Sequence, residues 1–277
     1  MVISCVSIFN AFFTNFFGFG LFWRGYMTTR ILISNDDGFD ATGIKELEAG
    51  LLGLGELTVV APDREQSASG HSLTLQHPLR IKERSPNHYA VDGTPTDCVF
   101  LGINHIMRDR RPDLVVSGIN RGGNLGDDIT YSGTVAAAFE ATLLGIPALA
   151  VSLDIAREHH FATASRAARE VAQKVLEHGL PADTLLNINV PDLAWEKLAG
   201  FRITRQGKRS YSDVVRENVD PRGRHYYWIG GEVLPGEDLE GSDATLVRDG
   251  FVSITPIQLD LTNHGALELL GNWEWNC

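Results

Sequence analysis

Cysteine is scarce in this chain: three in 277 residues, at Cys5, Cys98 and Cys277. So few, so far apart and odd in number, they exclude a disulfide framework or a Cys-based zinc site and favour a reducing compartment. Positive charge is also short. Lys and Arg number 24 against 35 Asp and Glu, a net charge of −11, and the densest basic stretch, Arg202 to Arg209, is brief and interrupted. A nucleic-acid scaffold needs clustered Lys and Arg for the phosphate backbone, so that class is set aside. A small anionic substrate stays open if a metal supplies the positive charge. Missing too is a Gly-x-Gly-x-x-Gly turn after the first strand-like run, which argues against a dinucleotide-dependent oxidoreductase.

Charged side chains are absent from Met1 to Trp23, a phenylalanine-rich stretch followed by Arg24 and a second methionine, Met27. The stretch is long enough for a membrane span, which needs roughly 20 residues. Asn10, Asn15, Gly18 and Gly20 weaken it as an anchor helix, and no basic n-region or small-residue cleavage site marks a secretory signal. The expectation is that the protein starts at Met27, residues 1–26 being an upstream extension; the competing reading makes 1–23 a membrane anchor. The remainder, in a chain 43% apolar and 21% charged, has the composition of a globular protein.

From Arg30 onward, apolar strand-like runs alternate with amphipathic helical stretches, the pattern of βαβ units around a parallel sheet. Strands are predicted at 31–34, 57–60, 114–117, 148–153 and 185–190, and helices at 41–54, 94–107, 132–144 and 163–178. Thr94 before Pro95 reads as a helix N-cap. Residues 72–82 alternate around Pro78 and predict an inserted β-hairpin. After Pro191 the strand-like pieces at 202–205, 226–229 and 252–257 have no regular helices between them. The expected fold is α/β, Rossmann-like, with a mostly parallel sheet and helices on both faces. Residues 27–190 form the metal- and phosphate-binding core, and 191–277 a β-rich extension that serves as an oligomerisation arm.

What is present in abundance is polar chemistry at strand ends. The first strand stops abruptly in Asn35-Asp36-Asp37-Gly38, which delivers two adjacent carboxylates to a sharp turn. Two anions held together at the carboxyl end of a strand call for a cation. The loop around Ser67 and the stretch Ser117-Gly118-Ile119-Asn120 follow two other strands and gather at the same edge. Carboxylate, hydroxyl and amide oxygens are the ligands of magnesium, manganese or calcium. A further loop, Asn124 to Asp128, leads into Tyr131-Ser132-Gly133-Thr134 at a helix start, where backbone N–H groups and hydroxyls bind phosphate. A divalent cation beside a phosphate cradle points to phosphoryl chemistry.

Several segments carry a resemblance. Met27–Gly38, Ala61-Pro-Asp-Arg, Ser72-Leu-Thr-Leu, Gly93-Thr-Pro-Thr-Asp-Cys, Ser117-Gly-Ile-Asn, Asn124-Leu-Gly-Asp-Asp, Tyr131-Ser-Gly-Thr-Val-Ala-Ala-Ala, Leu186-Asn-Ile-Asn-Val-Pro and Val252-Ser-Ile-Thr-Pro resemble the SurE family, the survival-protein 5′-nucleotidases. The likeness runs in order from Met27 to about His264, and residues 1–26 have no counterpart in it. It implies a Rossmann-like core, a C-terminal extension used to form a homodimer or homotetramer, and a cytoplasmic protein. It also implies one divalent cation per subunit, Mg²⁺ or Mn²⁺, held by Asp36, Asp37, Ser67 and Asn120. The implied reaction is hydrolysis of nucleoside 5′-monophosphates to nucleoside and phosphate by metal-activated water. Asp36 and Asp37 are then catalytic through the cation, Asn35 braces the turn or the leaving-group oxygen, and Ser132, Gly133 and Thr134 bind the phosphate.

Blander readings compete for single residues. Asp127 and Asp128 are expected to brace their loop, Cys98 to sit in a helix core, and Trp273 and Trp275 to pack a terminal or subunit contact. His71 and His264 lie near matched motifs without a readable role. An aspartyl-phosphate mechanism usually spaces its two aspartates by one residue, whereas these are adjacent, so both are expected to act as ligands. The remaining rival is a metal-dependent nucleotide sensor that binds without turnover.

Overall fold

The computed structural model describes residues 28–156, 158–209, 212, 214–231 and 239–275. The expectation for residues 1–26 lies outside them. Five parallel strands form the centre: β1 (Arg30–Ser34), β2 (Glu56–Pro62), β5 (Leu114–Arg121), β6 (Ala148–Asp154) and β7 (Thr184–Pro191). Two short strands, β3 (Ile81–Ser85) and β4 (His88–Val91), extend one edge, and β8 (Gly200–Ile203) and β11 (Phe251–Gln258) the other. The nine strands run β3-β4-β2-β1-β5-β6-β7-β11-β8, with β3 antiparallel to β4 and β11 antiparallel to β7. The sheet is therefore mostly parallel, as expected.

Apolar side chains alternate through β1 because neighbours on a strand face opposite ways. Ile31 and Ile33 pack with Ile44 and Leu47 of α1 (Thr42–Leu51) and Ala168 and Val171 of α4 (Phe161–His178). Leu32 packs on the other face with Cys98 and Val99 of α2 (Pro95–Leu101) and Val135 and Ala138 of α3 (Gly133–Leu143). All three β1 side chains are fully buried, so both faces of the sheet are covered by helices. Cys98 lies in that core, where burial pushes its thiol well above the usual range.

Besides β9 (Val214–Val219), which the sequence pattern does not mark, the elements depart from expectation in three places. Residues 72–80 contain no strand, because Thr74 is drawn to Asp97 by its backbone N–H (2.9 Å) and its hydroxyl (2.6 Å). The hairpin forms instead between β3 and β4, around Asn87 at φ +62. The helix capped by Thr94 is α-helical only to Leu101 and continues as a π-helical turn, Gly102–Ile106. The third departure follows Pro191, where two helices appear: α5 (Asp243–Arg248), capped by Ser242, and α6 (His264–Gly271). Six and eight residues are too few for helical periodicity to stand out in the sequence.

The chain beyond Pro191 is divided between the sheet and an arm. β8 and β11 continue the sheet, whereas β9 (Val214–Val219) and β10 (His225–Gly230) form a separate antiparallel hairpin. Tyr226, Tyr227, Trp228 and Ile229 stand exposed on it.

Candidate active site

The central order β2-β1-β5-β6-β7 reverses direction between β1 and β5. In an open parallel sheet, ligands bind outside the carboxyl ends of the strands at such a reversal. Asp36 and Asp37 leave β1 there, and Asn120 stands near the end of β5, where a register shift between Ser117 and Asn120 breaks the ladder to β6. The Ser67 loop arrives from β2. Gln66 donates its backbone N–H to Asp36 O at 2.8 Å, which lays this loop against the turn. Gly38, at φ +99, makes room for it: a Cβ would stand 3.0 Å from the Arg64 carbonyl carbon. Asn35, fully buried, closes the turn by donating Nδ2 to Gly38 O at 2.9 Å.

Asp36, Ser67, Asn120 and Ser132 line one cleft of about 400 Å³, together with Arg121, Asn124, Asp128 and Tyr131. Asp37 is not among the lining residues, and its Oδ2 accepts from the Arg121 backbone N–H at 3.0 Å. Asp36 is buried and accepts from the Thr134 hydroxyl at the first turn of α3. Burial pushes its pKa up to about 6, against the pull of Thr134, and the charge of Asp37 adds to the rise. Burial also raises Asp37, with Glu65 adding its negative charge. Ser67 Oγ donates to Glu65 Oε1 at 2.8 Å, and Asn120 donates Nδ2 to Gly122 O at 2.8 Å. Both bonds use donors and leave oxygen lone pairs for a cation.

This set fits a hard divalent cation. Two carboxylates are raised chiefly by burial, and the neutral hydroxyl and amide oxygens of Ser67 and Asn120 stand beside Asp36 in the cleft lining. Asn35 Oδ1 and Ser69 Oγ are buried nearby without a hydrogen-bond partner. The opposite wall suits an anion. Ser132 lines the cleft and caps α3 by accepting from Val135 N–H at 3.1 Å, so the positive end of the eleven-residue helix dipole lies at the cleft. Gly133 has no room for a side chain, since a Cβ would come within 2.8 Å of both Asp36 Cβ and Ser69 Oγ. Thr134, expected beside the phosphate, is fully buried and gives its hydroxyl to Asp36.

The residues given a bland reading behave accordingly. Asp127 pairs with Lys208 and Asp128 with Arg209, each at 3.0 Å, which braces the loop. His71 bonds Glu140 at 2.8 Å and His264 bonds Asp260 at 2.7 Å, and neither lines the cleft. Sequence reasoning missed Glu65, whose charge acts on Asp37, and Asn124. The latter's backbone accepts from Asn187 Nδ2 (2.8 Å) and Asn189 Nδ2 (3.0 Å), both buried on β7. The alternation Asn187-Ile188-Asn189 was the available signal, since it sets two polar side chains on one face of a buried strand.

Comparison with known proteins agrees with this architecture. The profile of the family described as survival protein SurE matches residues 31–213. A protein of Geobacter metallireducens named 5′-nucleotidase SurE is 58% identical over 247 residues, covering 89% of this chain and 98% of the relative. Its namesake in Geobacter sulfurreducens is 56% identical over 245 residues, covering 88% and 93%. The crystal structure of a SurE protein from Aquifex aeolicus superimposes with a TM-score of 0.79 at 45% identity, over 87% of this chain and 98% of that one. By sequence and by fold, the chain belongs to the SurE family.

Proposed function

We propose that this chain is a metal-dependent 5′-nucleotidase that hydrolyses nucleoside 5′-monophosphates to nucleoside and phosphate. The observation that carries the reading is one cleft that joins a buried carboxylate at the end of β1, Asp36, to the start of α3. The names of the relatives support the same activity.

In this reading Asp36, Asp37, Ser67 and Asn120 hold one Mg²⁺ or Mn²⁺ per subunit. When bound, such an ion supplies positive charge to the phosphoryl group and makes water acidic enough to attack near neutral pH. The chain supplies the rest. Gly133 presents its backbone N–H to the phosphate, and Ser132 can add its hydroxyl hydrogen because its cap bond uses only a lone pair. Thr134 aims Asp36, and Arg121 N–H aims Asp37. Asn35 keeps the turn closed. Two negative ligands balance the formal charge of a divalent ion without exceeding it, and because Ser67 and Asn120 are neutral the ion keeps its Lewis acidity toward a phosphate.

Scattered cysteines and a nucleotide substrate support a cytoplasmic protein. The apolar residues exposed on the arm and on α6, among them Tyr227, Trp228, Leu267 and Leu269, support assembly into a homodimer or homotetramer. Among the described residues no helix is long and apolar enough to cross a membrane.

The test is phosphate release from a panel of nucleoside 5′-monophosphates with Mg²⁺, Mn²⁺ or a chelator. Release that needs the metal and is lost in a folded Asp36→Asn variant is expected. Release unaffected by chelation would reject the reading.

A further inference from the structure

The rim of the cleft is fastened by a part of the chain that contributes nothing to its lining. Gly126 donates its backbone N–H to Asp243 Oδ2 at 2.9 Å, and Gly207 donates to Asp243 Oδ1 at 2.9 Å. Ala244 N–H adds a third bond at 2.7 Å. Asp243 is fully buried, and these donors replace the water its carboxylate has lost.

The segment beside it makes further bonds to the same rim. Gln206 Nε2 donates to Gly126 O at 3.1 Å, and Arg209 Nη1 reaches Gly123 O at 3.2 Å and Asp128 Oδ2 at 3.0 Å. Packing is close: a Cβ on Gly126 would stand 3.0 Å from Arg209 N. Residues 204–209 and 239–243 are also the two roots of the β9–β10 arm. They are joined by Arg205 N–H to Gly241 O and Asp243 N–H to Arg205 O, each at 3.0 Å. Asp243 thus holds the arm root and the cleft rim in one network, although 117 positions separate it from Gly126.

We propose that Asp243 is a positioning residue for nucleotide binding, fixing the 122–131 rim loop to the arm root so that Asn124, Asp128 and Tyr131 stand correctly around the phosphate seat. It touches neither substrate nor cation, and the proposal rests on the nucleotidase reading. Of the cation-holding residues only Asn120 bonds the rim, at Gly122 O, and Asp36, Asp37 and Ser67 lie on other segments, so loosening the rim weakens substrate binding far more than metal binding.

Two variants test it. Asp243→Asn keeps the shape but turns an NH₂ group toward N–H donors. Gln206→Ala deletes one bond to the rim. Hydrogen–deuterium exchange over residues 122–131 is read in the protein without added metal, and AMP hydrolysis is followed with Mn²⁺. Exchange is expected to quicken in both variants. The KM for AMP is expected to rise about tenfold in Asp243→Asn and about threefold in Gln206→Ala, with kcat and the half-saturating Mn²⁺ each within about twofold.

A residue that only supports the fold would lower Tm and kcat together and leave KM in place. That result, or faster exchange with an unaltered KM, overturns the proposal. If Asp243→Asn does not fold, Gln206→Ala decides by the same split. If the wild type does not hydrolyse AMP, the nucleotidase reading fails separately, and the split is read in equilibrium binding of AMP: unchanged affinity in the variants then overturns the positioning role.

Discussion

Thr134 gives its hydroxyl to the Asp36 carboxylate, across 98 positions of sequence. The helix that faces the phosphate seat therefore grips a carboxylate of the proposed cation site directly. Thr134 pulls the Asp36 pKa down while burial pushes it up, and burial wins, leaving it at about 6. The seats are one mechanical unit, and the start of α3 cannot move without moving Asp36.

Replacing Thr134 with Val keeps the shape and removes the hydroxyl. Losing a hydrogen bond to a charged group costs about 1.5–3 kcal/mol, so the Mn²⁺ concentration for half activity is expected to rise roughly tenfold or more. Thr134→Ser should restore most of it. Steady-state rates over a Mn²⁺ series check this. If Thr134 bound phosphate instead, KM for AMP would rise and the half-saturating Mn²⁺ would stay fixed.

Asp36 also predicts how stability depends on pH. Its folded pKa of about 6 lies above the ordinary value of 3.8. Between those values the folded state holds more protons than the unfolded one, so the metal-free protein loses stability as pH rises through that window. The Asp36 share is at most about 3 kcal/mol. Denaturant unfolding with a chelator should show wild type falling relative to Asp36→Asn between pH 4 and 6.5, and added Mn²⁺ should offset the fall. A wild type that gains on the variant over this range contradicts the prediction.

Gly133→Ala tests the close approach of α3 to the carboxylate. The added methyl would meet Asp36 Cβ and Ser69 Oγ at 2.8 Å. Overpacking of this kind costs about 1–3 kcal/mol of stability. Displacing Asp36 is expected to cost about a hundredfold or more in kcat/KM, because catalytic positioning is sensitive to shifts of about an ångström. Thermal melts and AMP hydrolysis on the same preparation check both halves. Near-wild-type kcat/KM would show that the contact does not govern the site.

Much of this was legible in the sequence, for physical reasons. Ile31–Ile33 followed by Asn35-Asp36-Asp37-Gly38 is a local signal, since one buried strand and one turn suffice to place two carboxylates at the sheet edge. Thr94-Pro95 likewise announced a helix start, and Ser132 another. The bonds that aim those residues are long-range: Thr134 to Asp36, Asp97 to Thr74 and Asp243 to Gly126 join segments that no periodicity connects. For the same reason the alternation over residues 72–82 yields a strand only from Ile81. Their alternation is real, but Asp97 takes Thr74 out of any ladder.

Asp97 itself gives a prediction about stability alone. It is buried, and its carboxylate accepts from the backbone N–H groups of Thr74 and Thr94, each at 2.9 Å, and from the Thr74 hydroxyl. Asp97→Ala strands those donors and is expected to cost about 3 kcal/mol or more in denaturant unfolding. The folded fraction should keep its kcat, because none of these residues lines the cleft. A cost within about 0.5 kcal/mol of zero would show that the network adds nothing.

The cation site is tested most directly by calorimetric titration of Mn²⁺ into the metal-free protein and into Asp36→Asn, Asp37→Asn, Ser67→Ala and Asn120→Ala. One Mn²⁺ per chain is predicted for the wild type, with binding abolished in both aspartate variants and weakened in the Ser67 and Asn120 variants. Undiminished binding to folded Asp36→Asn and Asp37→Asn would contradict the account.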